Sequence, residues 1–331
     1  MKRLALCHGP TPIWRNRALD ALLGFELWVK RDDMTSGASA GNKLRKLEYL
    51  LADAVSQGAT TVITCGGAQS NHARATALAA REVGLRAVLV LRTPDLAQPP
   101  VDTGNLLLDR LAGAELRFVS PEQYRERTAL MAELGRELSA RGERPYTIPE
   151  GGSNGLGALG YFNAVAELSE QQEAAELPEG LELVAVACGS GGTAAGVALG
   201  LGQFPGVAAR AVAFAVCDDR DYFSTLTARI IGEARALDPS LPQPGPLEID
   251  DRFKGPAYGI ASAEQLDFIV AVARASGLVL EPSYTGKALF GLSRLSPKPA
   301  RALFVHTGGL PGLLAEPAVM AAALARGAAG S

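Results

Sequence analysis

Lys43 is the residue of this chain best placed for covalent chemistry. It opens the segment AGNKLRKLEYLL (residues 40–51), in which Leu44, Leu47, Leu50 and Leu51 recur at helical spacing. The pattern predicts an amphipathic helix with Lys43 in its first turn. There the helix dipole disfavours a positive charge and tends to lower the lysine pKa. A lysine with a depressed pKa suits Schiff-base formation. The same spacing also describes an ordinary surface lysine.

A second feature is the loop GSGGTAAG (189–196), which follows an apolar run and opens a helical segment. Small residues let backbone N–H groups converge on an anion, and a helix N-terminus favours negative charge. Ser190, Gly191, Gly192 and Thr193 therefore suit a phosphate, although a tight strand–helix turn needs the same residues. Neither a P-loop nor a GxGxxG dinucleotide motif is matched. The stretch GGAQSNHAR (66–74) also joins a strand to a helix, so Ser70, Asn71 and His72 fall at the carboxyl edge of a sheet, where open α/β folds bind ligands. Ser70 or Asn71 could equally cap that helix. Tyr258 and Tyr284 stand beside turn residues, where a ring can stack on a ligand and a hydroxyl can move a proton. The motif HTGG, with Thr307, ends the last apolar run.

These residues need a scaffold, and the apolar periodicity supplies one. Runs of strand length at 60–65, 86–91, 115–119, 181–188, 210–216 and 302–307 alternate with helical segments at 73–83, 105–111, 123–141, 161–171 and from Ala194 onward. That alternation predicts an α/β fold with parallel sheets and right-handed crossovers. Residues 150–160 read as a Gly-rich connection, and 239–246 as a proline-rich loop. The chain has 331 residues, 47 % of them hydrophobic and 6 % aromatic, enough for a core of Ala, Leu and Val. A net charge of −3 supplies no positive field for nucleic acid or anionic membrane. The four cysteines lie far apart, with neither disulfide-framework nor metal-ligand spacing. The N-terminus lacks a signal-peptide core and no apolar run reaches transmembrane length, so a soluble cytoplasmic protein is expected.

Six motifs in order, VKRDD (29–33), GNKLRKLE (41–48), GGAQSNHAR, CGSGGT (188–193), EPSYTGKA (281–288) and HTGG (306–309), resemble the D-cysteine desulfhydrase / 1-aminocyclopropane-1-carboxylate (ACC) deaminase family. The likeness runs from about Leu6 to Leu313. It implies a pyridoxal 5'-phosphate (PLP) enzyme of fold type II, tryptophan-synthase-β-like, with two open parallel-sheet domains and the active site between them. Residues 1–46 and 157–331 would form a large PLP-binding domain, and 47–156 a small mobile one. Carried over, Lys43 would be the Schiff-base lysine and Asn71 the partner of the PLP phenolic oxygen. Ser190, Gly191, Gly192 and Thr193 would hold the phosphate, with Tyr284 stacked on the pyridine and Thr307 beside it. Ser70, Asn71, His72, Tyr258 and Thr285 would surround the substrate.

Two positions bear on the reaction the resemblance implies. Thr285 follows the motif tyrosine where similar ACC deaminases carry Glu, and Thr307 is also desulfhydrase-like. A neutral hydroxyl at the pyridine nitrogen makes a weaker electron sink than a carboxylate would. Such a sink suffices when the leaving group is itself good, such as thiolate. The expected activity is therefore β-elimination of D-cysteine to pyruvate, hydrogen sulfide and ammonia, with Lys43, Ser70, Tyr258 and Tyr284 as the catalytic set. L-Cysteate sulfo-lyase and ACC deaminase are the alternatives within the family. A PLP-holding or ligand-sensing protein without turnover is the alternative outside enzymes. A homodimer, amino acid catabolism and no metal are also implied. Ala40 departs from the family pattern, which commonly has Gly there, at the loop on the substrate side.

Overall fold

A computed structural model describes residues 1–98 and 100–329. Pro99, in the expected small domain, and residues 330–331, at the end of the expected large one, lie outside the described residues. Among the described residues, ten strands run in chain order as β1 (Ile13–Arg15), β2 (Glu26–Lys30), β3 (Thr61–Gly67), β4 (Arg86–Arg92), β5 (Glu115–Val119), β6 (Pro145–Thr147), β7 (Leu183–Cys188), β8 (Arg210–Ala215), β9 (Leu247–Asp250) and β10 (Arg301–Val305). The helices are α1 (Arg17–Leu23), α2 (Asn42–Ser56), α3 (Asn71–Glu82), α4 (Gly104–Leu111), α5 (Pro121–Arg125), α6 (Arg127–Ala140) and α7 (Gly155–Glu173). They continue as α8 (Gly192–Gln203), α9 (Arg220–Leu237), α10 (Ala263–Ser276), α11 (Thr285–Ser293), α12 (Leu310–Ala315) and α13 (Ala318–Ala329).

The strands form two sheets. One has six strands in the order β1-β2-β10-β7-β8-β9, parallel except for the antiparallel edge pair β1–β2. The other has four parallel strands in the order β5-β4-β3-β6. This is the α/β architecture that the alternation of apolar runs predicts. Central strands β3, β7 and β8 are buried almost throughout, as parallel strands covered by helices on both faces must be.

Three differences from the sequence reading have physical causes. Helix α7 starts at Gly155, six residues before the expected Tyr161, with Asn154 Oδ1 accepting from the Gly157 amide. The glycines of that stretch serve close packing inside a helix. A Cβ on Gly160 would lie 2.3 Å from the Arg45 carbonyl oxygen in α2, and one on Gly196 would lie 2.2 Å from the Ala158 carbonyl oxygen. The expected single helix over 123–141 is two, the first started by Pro121 and a capping box between Ser120 and Gln123. The last strand ends at Val305, so His306 and Thr307 lie just past it.

Helix α2 is tied to its surroundings by buried ions. Arg45 donates twice to Asp32, at 2.8 Å each, and twice to Glu167, at 3.0 Å each. Lys30 lies 2.5 Å from Glu167, and the Tyr161 hydroxyl donates to Asp32 at 2.6 Å. Burial alone would raise the Glu167 carboxyl. Hydrogen bonds and charge from Arg45, with Lys30 behind them, outweigh burial and hold it at about 2. Because the folded pKa is depressed, this carboxylate stabilises the fold above its ordinary 4.5, and that stabilisation is lost as pH falls toward 2. Glu167→Gln leaves Lys30 and Arg45 short of a buried counter-charge. It is expected to cost about 3–5 kcal/mol in denaturant unfolding and to flatten the loss of stability on the acid side.

Candidate active site

The carboxyl ends of β3, β7 and β10 converge, and the residues just beyond them wall one narrow cavity. Asn42, Lys43, Asn71, Cys188, Gly189, Ser190, Gly191, Thr193, Tyr284 and Thr307 are among its lining residues. A wider cavity shares Asn71 and Tyr284 and adds Gln69, Arg92 and Tyr258. Three segments distant in sequence are knitted together here. The Asn42 amide N–H donates to the Thr307 carbonyl at 3.2 Å, and Asn42 Nδ2 donates to Thr193 Oγ1 at 3.1 Å. Gly41 makes that approach possible. Its φ is +122°, and a Cβ would stand 2.9 Å from the Thr307 carbonyl oxygen.

Lys43 is the second residue of α2, so the chain presents its amine at the helix mouth. Its pKa is lowered to about 8, and burial is the largest cause. The sequence argument invoked the helix dipole; loss of water is the stronger effect. Lys46, one turn further on, is pushed well below its ordinary value by burial and then by the nearby Lys43 charge. Its Nζ donates to Ser153 Oγ at 3.1 Å and the Gly151 carbonyl at 3.2 Å.

Helix α8 begins at Gly192 with no side chain capping it; the Gly192 amide donates to the Ser190 carbonyl at 3.0 Å, which leaves the Thr193 and Ala194 amides for another acceptor. A Cβ on Gly192 would meet Ser153 Oγ at 2.7 Å and Lys46 Nζ at 2.8 Å. Uncapped amides, a hydroxyl from Ser153, a hydroxyl from Ser190 2.8 Å away from it, and an ammonium make a donor set suited to a phosphate group. Tyr284 stands across from this loop. A Cβ on Gly189 would come within 3.0 Å of its Cε1. The Tyr284 hydroxyl is 2.5 Å from that of Tyr258, and the two rings meet edge to face. Burial raises both phenols, Tyr258 to about 12 and Tyr284 further, so both stay protonated near neutral pH.

Four expected site residues line neither cavity: Gly192, which packs against Ser153 and Lys46, and Ser70, His72 and Thr285. Ser70 caps α3, its Oγ accepting from the Ala73 amide at 3.2 Å. His72 turns inward, its Nε2 2.8 Å from Thr64 Oγ1. Thr64 already donates to the Ile148 carbonyl at 2.9 Å, so its oxygen receives the imidazole N–H. Burial, and then the charges of Lys43 and Lys46, keep His72 neutral. Thr285 is fully buried, its Oγ1 accepting from the Glu281 amide at 3.0 Å.

The sequence reading missed four residues that shape the site. Lys46 and Ser153 complete the donor set; the i, i+3 spacing of Lys43 and Lys46 was the available signal. The buried Glu281 carboxylate receives the amides of Ser283, Tyr284 and Thr285 at 2.6–2.7 Å, fixing the turn that carries Tyr284. Lys287 donates to the Val216, Lys254 and Ala257 carbonyls, holding the segment before Tyr258. Among the described residues no His, Cys, Asp or Glu cluster could hold a metal, and no helix is long and apolar enough to cross a membrane.

Comparison with known proteins identifies the family. Residues 4–308 match the family described as pyridoxal-phosphate dependent enzyme. The chain is 42 % identical to the Arabidopsis thaliana bifunctional D-cysteine desulfhydrase/ACC deaminase, over 93 % of this chain and 78 % of that protein. It is 39 % identical to a Klebsiella pneumoniae D-cysteine desulfhydrase, over 95 % of each. A crystal structure of an ACC deaminase homologue superposes with a TM-score of 0.87 at 36 % identity, covering 98 % of this chain and 96 % of that one. Maize serine racemase, 17 % identical over 90 % of this chain and 88 % of that one with a TM-score of 0.60, shares the fold. The chain belongs to the pyridoxal-phosphate dependent enzyme family, with the type II fold and PLP as its cofactor. Within that family it groups with the D-cysteine desulfhydrases and ACC deaminases, and it is a PLP-dependent lyase.

Gly192→Ala tests the phosphate cradle. The added methyl displaces Ser153 Oγ or Lys46 Nζ. Retention of PLP on dialysis is expected to weaken about tenfold or more, the loss of one or two hydrogen bonds to a charged group. Binding of pyridoxal, which lacks the phosphate, should change little.

Proposed function

We propose that this protein breaks D-cysteine into pyruvate, hydrogen sulfide and ammonia by β-elimination. The observation that carries the reading is a Lys43 amine with its pKa lowered to about 8, in one cavity with Tyr284, whose hydroxyl meets that of Tyr258 at 2.5 Å. Bound PLP supplies the electron sink that makes loss of a Cα proton feasible. Lys43 holds the cofactor, and its amine, in large part neutral at slightly alkaline pH, is suited to take that proton. The Tyr258–Tyr284 pair keeps its protons and is suited to donate toward the departing sulfur. Asn71 would donate to the cofactor's phenolic oxygen, and the Ser190–Thr193 loop with Lys46 would hold its phosphate. Thr307 would lie beside the ring. Ser70, His72 and Thr285 would act from behind the walls, shaping the turn that carries Asn71 and the floor beneath Tyr284.

Thr285 favours the desulfhydrase reading over ACC deaminase. Its hydroxyl is neutral, and buried where a carboxylate would have to be desolvated. L-Cysteate is the second reading, favoured by Arg92 in the wider cavity, whose guanidinium could meet a sulfonate. We further infer that residues 47–156 close on residues 1–46 and 157–331 as substrate binds, and that the protein works as a cytoplasmic homodimer in amino acid catabolism.

The test is a substrate panel of D-cysteine, L-cysteine, L-cysteate and ACC on the purified protein. Sulfide and pyruvate from D-cysteine are expected, and 2-oxobutanoate from ACC alone would overturn the reading. Lys43→Ala should abolish turnover with every substrate. Borohydride should bleach the yellow wild-type protein and leave the label on Lys43.

A further inference from the structure

Asn71 faces the cavity from the first turn of α3, and a side-chain amide can present either its oxygen or its nitrogen there. The two faces have opposite consequences for a phenolic oxygen. Only the nitrogen donates, and the oxygen would repel. Something must select the orientation, and the residues behind Asn71 do so.

Arg74 is buried, and its Nε donates to Asn105 Oδ1 at 3.0 Å. A guanidinium has no acceptor, so the Asn105 oxygen is the atom that faces it. Asn105 Nδ2 therefore points the other way. It donates to the Gln69 carbonyl at 3.0 Å, a group that can only accept. The second Nδ2 proton reaches Asn71 Oδ1, also at 3.0 Å. Asn105 is fully buried, so no solvent competes for these bonds. The donor-only character of Arg74 and the acceptor-only character of the Gln69 carbonyl thus remove the freedom of two amides in series. Asn71 is left with its oxygen inward and its nitrogen for the cavity.

We propose that Asn105 is a positioning residue, polarised by Arg74, which locks the Asn71 amide with its Nδ2 toward the cofactor. The proposal rests on the reading of Asn71 as donor to the phenolic oxygen. Arg74 has a second task in the same network. Its two terminal nitrogens donate to the Ala38 and Ala40 carbonyls, so the loop leading into Lys43 is fastened to the same guanidinium. Ala40, the departure from the family pattern, contributes through its carbonyl. Lys43 and Asn71 are in this way referenced to one cation.

The experiment uses the holoenzyme. Asn105→Asp keeps the shape and still accepts from Arg74, but it cannot donate. It places a carboxylate against the Gln69 and Asn71 oxygens, which turns the Asn71 amide over. The visible absorbance of bound PLP is titrated against pH, PLP retention is measured, and thermal melting reports the fold. Asn105→Asp is expected to shift the titration midpoint by about one unit and weaken PLP retention about tenfold, the worth of one charge-assisted hydrogen bond. Asn71→Ala should produce a comparable shift. The double variant should add nothing to Asn71→Ala, because Asn105 acts only through it. Asn105→Ala, which buries no carboxylate, guards against misfolding of the Asp variant, and a smaller shift in the same measurements is expected. If Asn71→Ala shifts the titration and neither Asn105 variant does, the proposal fails while the role of Asn71 stands. If Asn71→Ala itself leaves the spectrum unchanged, the reading of Asn71 fails and the proposal falls with it. Additive losses in the double variant would also overturn the proposal, since they would give Asn105 a separate structural role.

Discussion

An ammonium removed from water must find a counter-charge or surrender its proton, and Lys43 has little counter-charge to meet. Glu150 and Cys188 give only weak support, and burial dominates. The remainder of the site follows from that imbalance. An amine titrating near 8 is a usable nucleophile, and the start of α8, which no side chain caps, is suited to the anionic end of a ligand whose aldehyde that amine could take up. Lys46 stands between them, itself short of a counter-ion and directed at Ser153. A phosphate bound there would supply the negative charge that this pair of lysines lacks. On the proposed reading, cofactor affinity and lysine reactivity are two aspects of one electrostatic arrangement.

Such an arrangement needs a rigid carrier, and α2 provides it by using nearly every residue of its first two turns. Asn42 reaches Thr193, Arg45 binds Asp32 and Glu167, and Lys46 holds residues 151 and 153. Glu48 accepts the Leu6 and Cys7 amides and the Arg3 guanidinium, drawing the N-terminal segment onto the same helix. Leu44, Leu47, Leu50 and Leu51 fill the core beneath the four-stranded sheet. One helix thereby contacts both sheets' layers and both ligand loops. Its polar residues are divided by direction, with Lys43 toward the cavity, Lys46 toward Gly151 and Ser153, and Arg45 toward the buried ions.

The fold was legible because parallel strands buried on both faces read as continuous apolar runs, and β3, β4, β7, β8 and β10 all do so. Short edge strands such as β6 and β9 have no such run. Their pairing is decided by neighbours far away in sequence. Residues 150–160 misled for a different reason. Glycine signals a loop locally, yet at Gly160 it is required by the Arg45 carbonyl of α2, 2.3 Å from a would-be Cβ, and at Gly157 by the Gly152 carbonyl of the turn before it, at 2.1 Å. Candidate residues that sit on recognisable loops, Lys43, Asn71, Ser190, Gly191, Thr193, Tyr284 and Thr307, could be named from type, spacing and the family resemblance, and they line one cavity. Ser153, Glu281 and Lys287 were not, because their value lies in what they hydrogen-bond, and hydrogen-bond partners are set by tertiary approach.

The misplacement of His72 is instructive about directions as opposed to positions. Asn71 and His72 are adjacent at the start of α3, where successive side chains diverge by about 100° around the axis. If residue 71 faces the cavity, residue 72 must face elsewhere, and here it meets Thr64 on β3. Arg74 lies three positions beyond Asn71, back on the same side of the helix, and so it is the residue able to act on the network behind the cavity. Helical periodicity applied to the motif residues separates those that can touch a ligand from those that hold the touching residue in place. At Asn71, His72 and Arg74 the outcome is one contact, one buried partner of the sheet and one anchor.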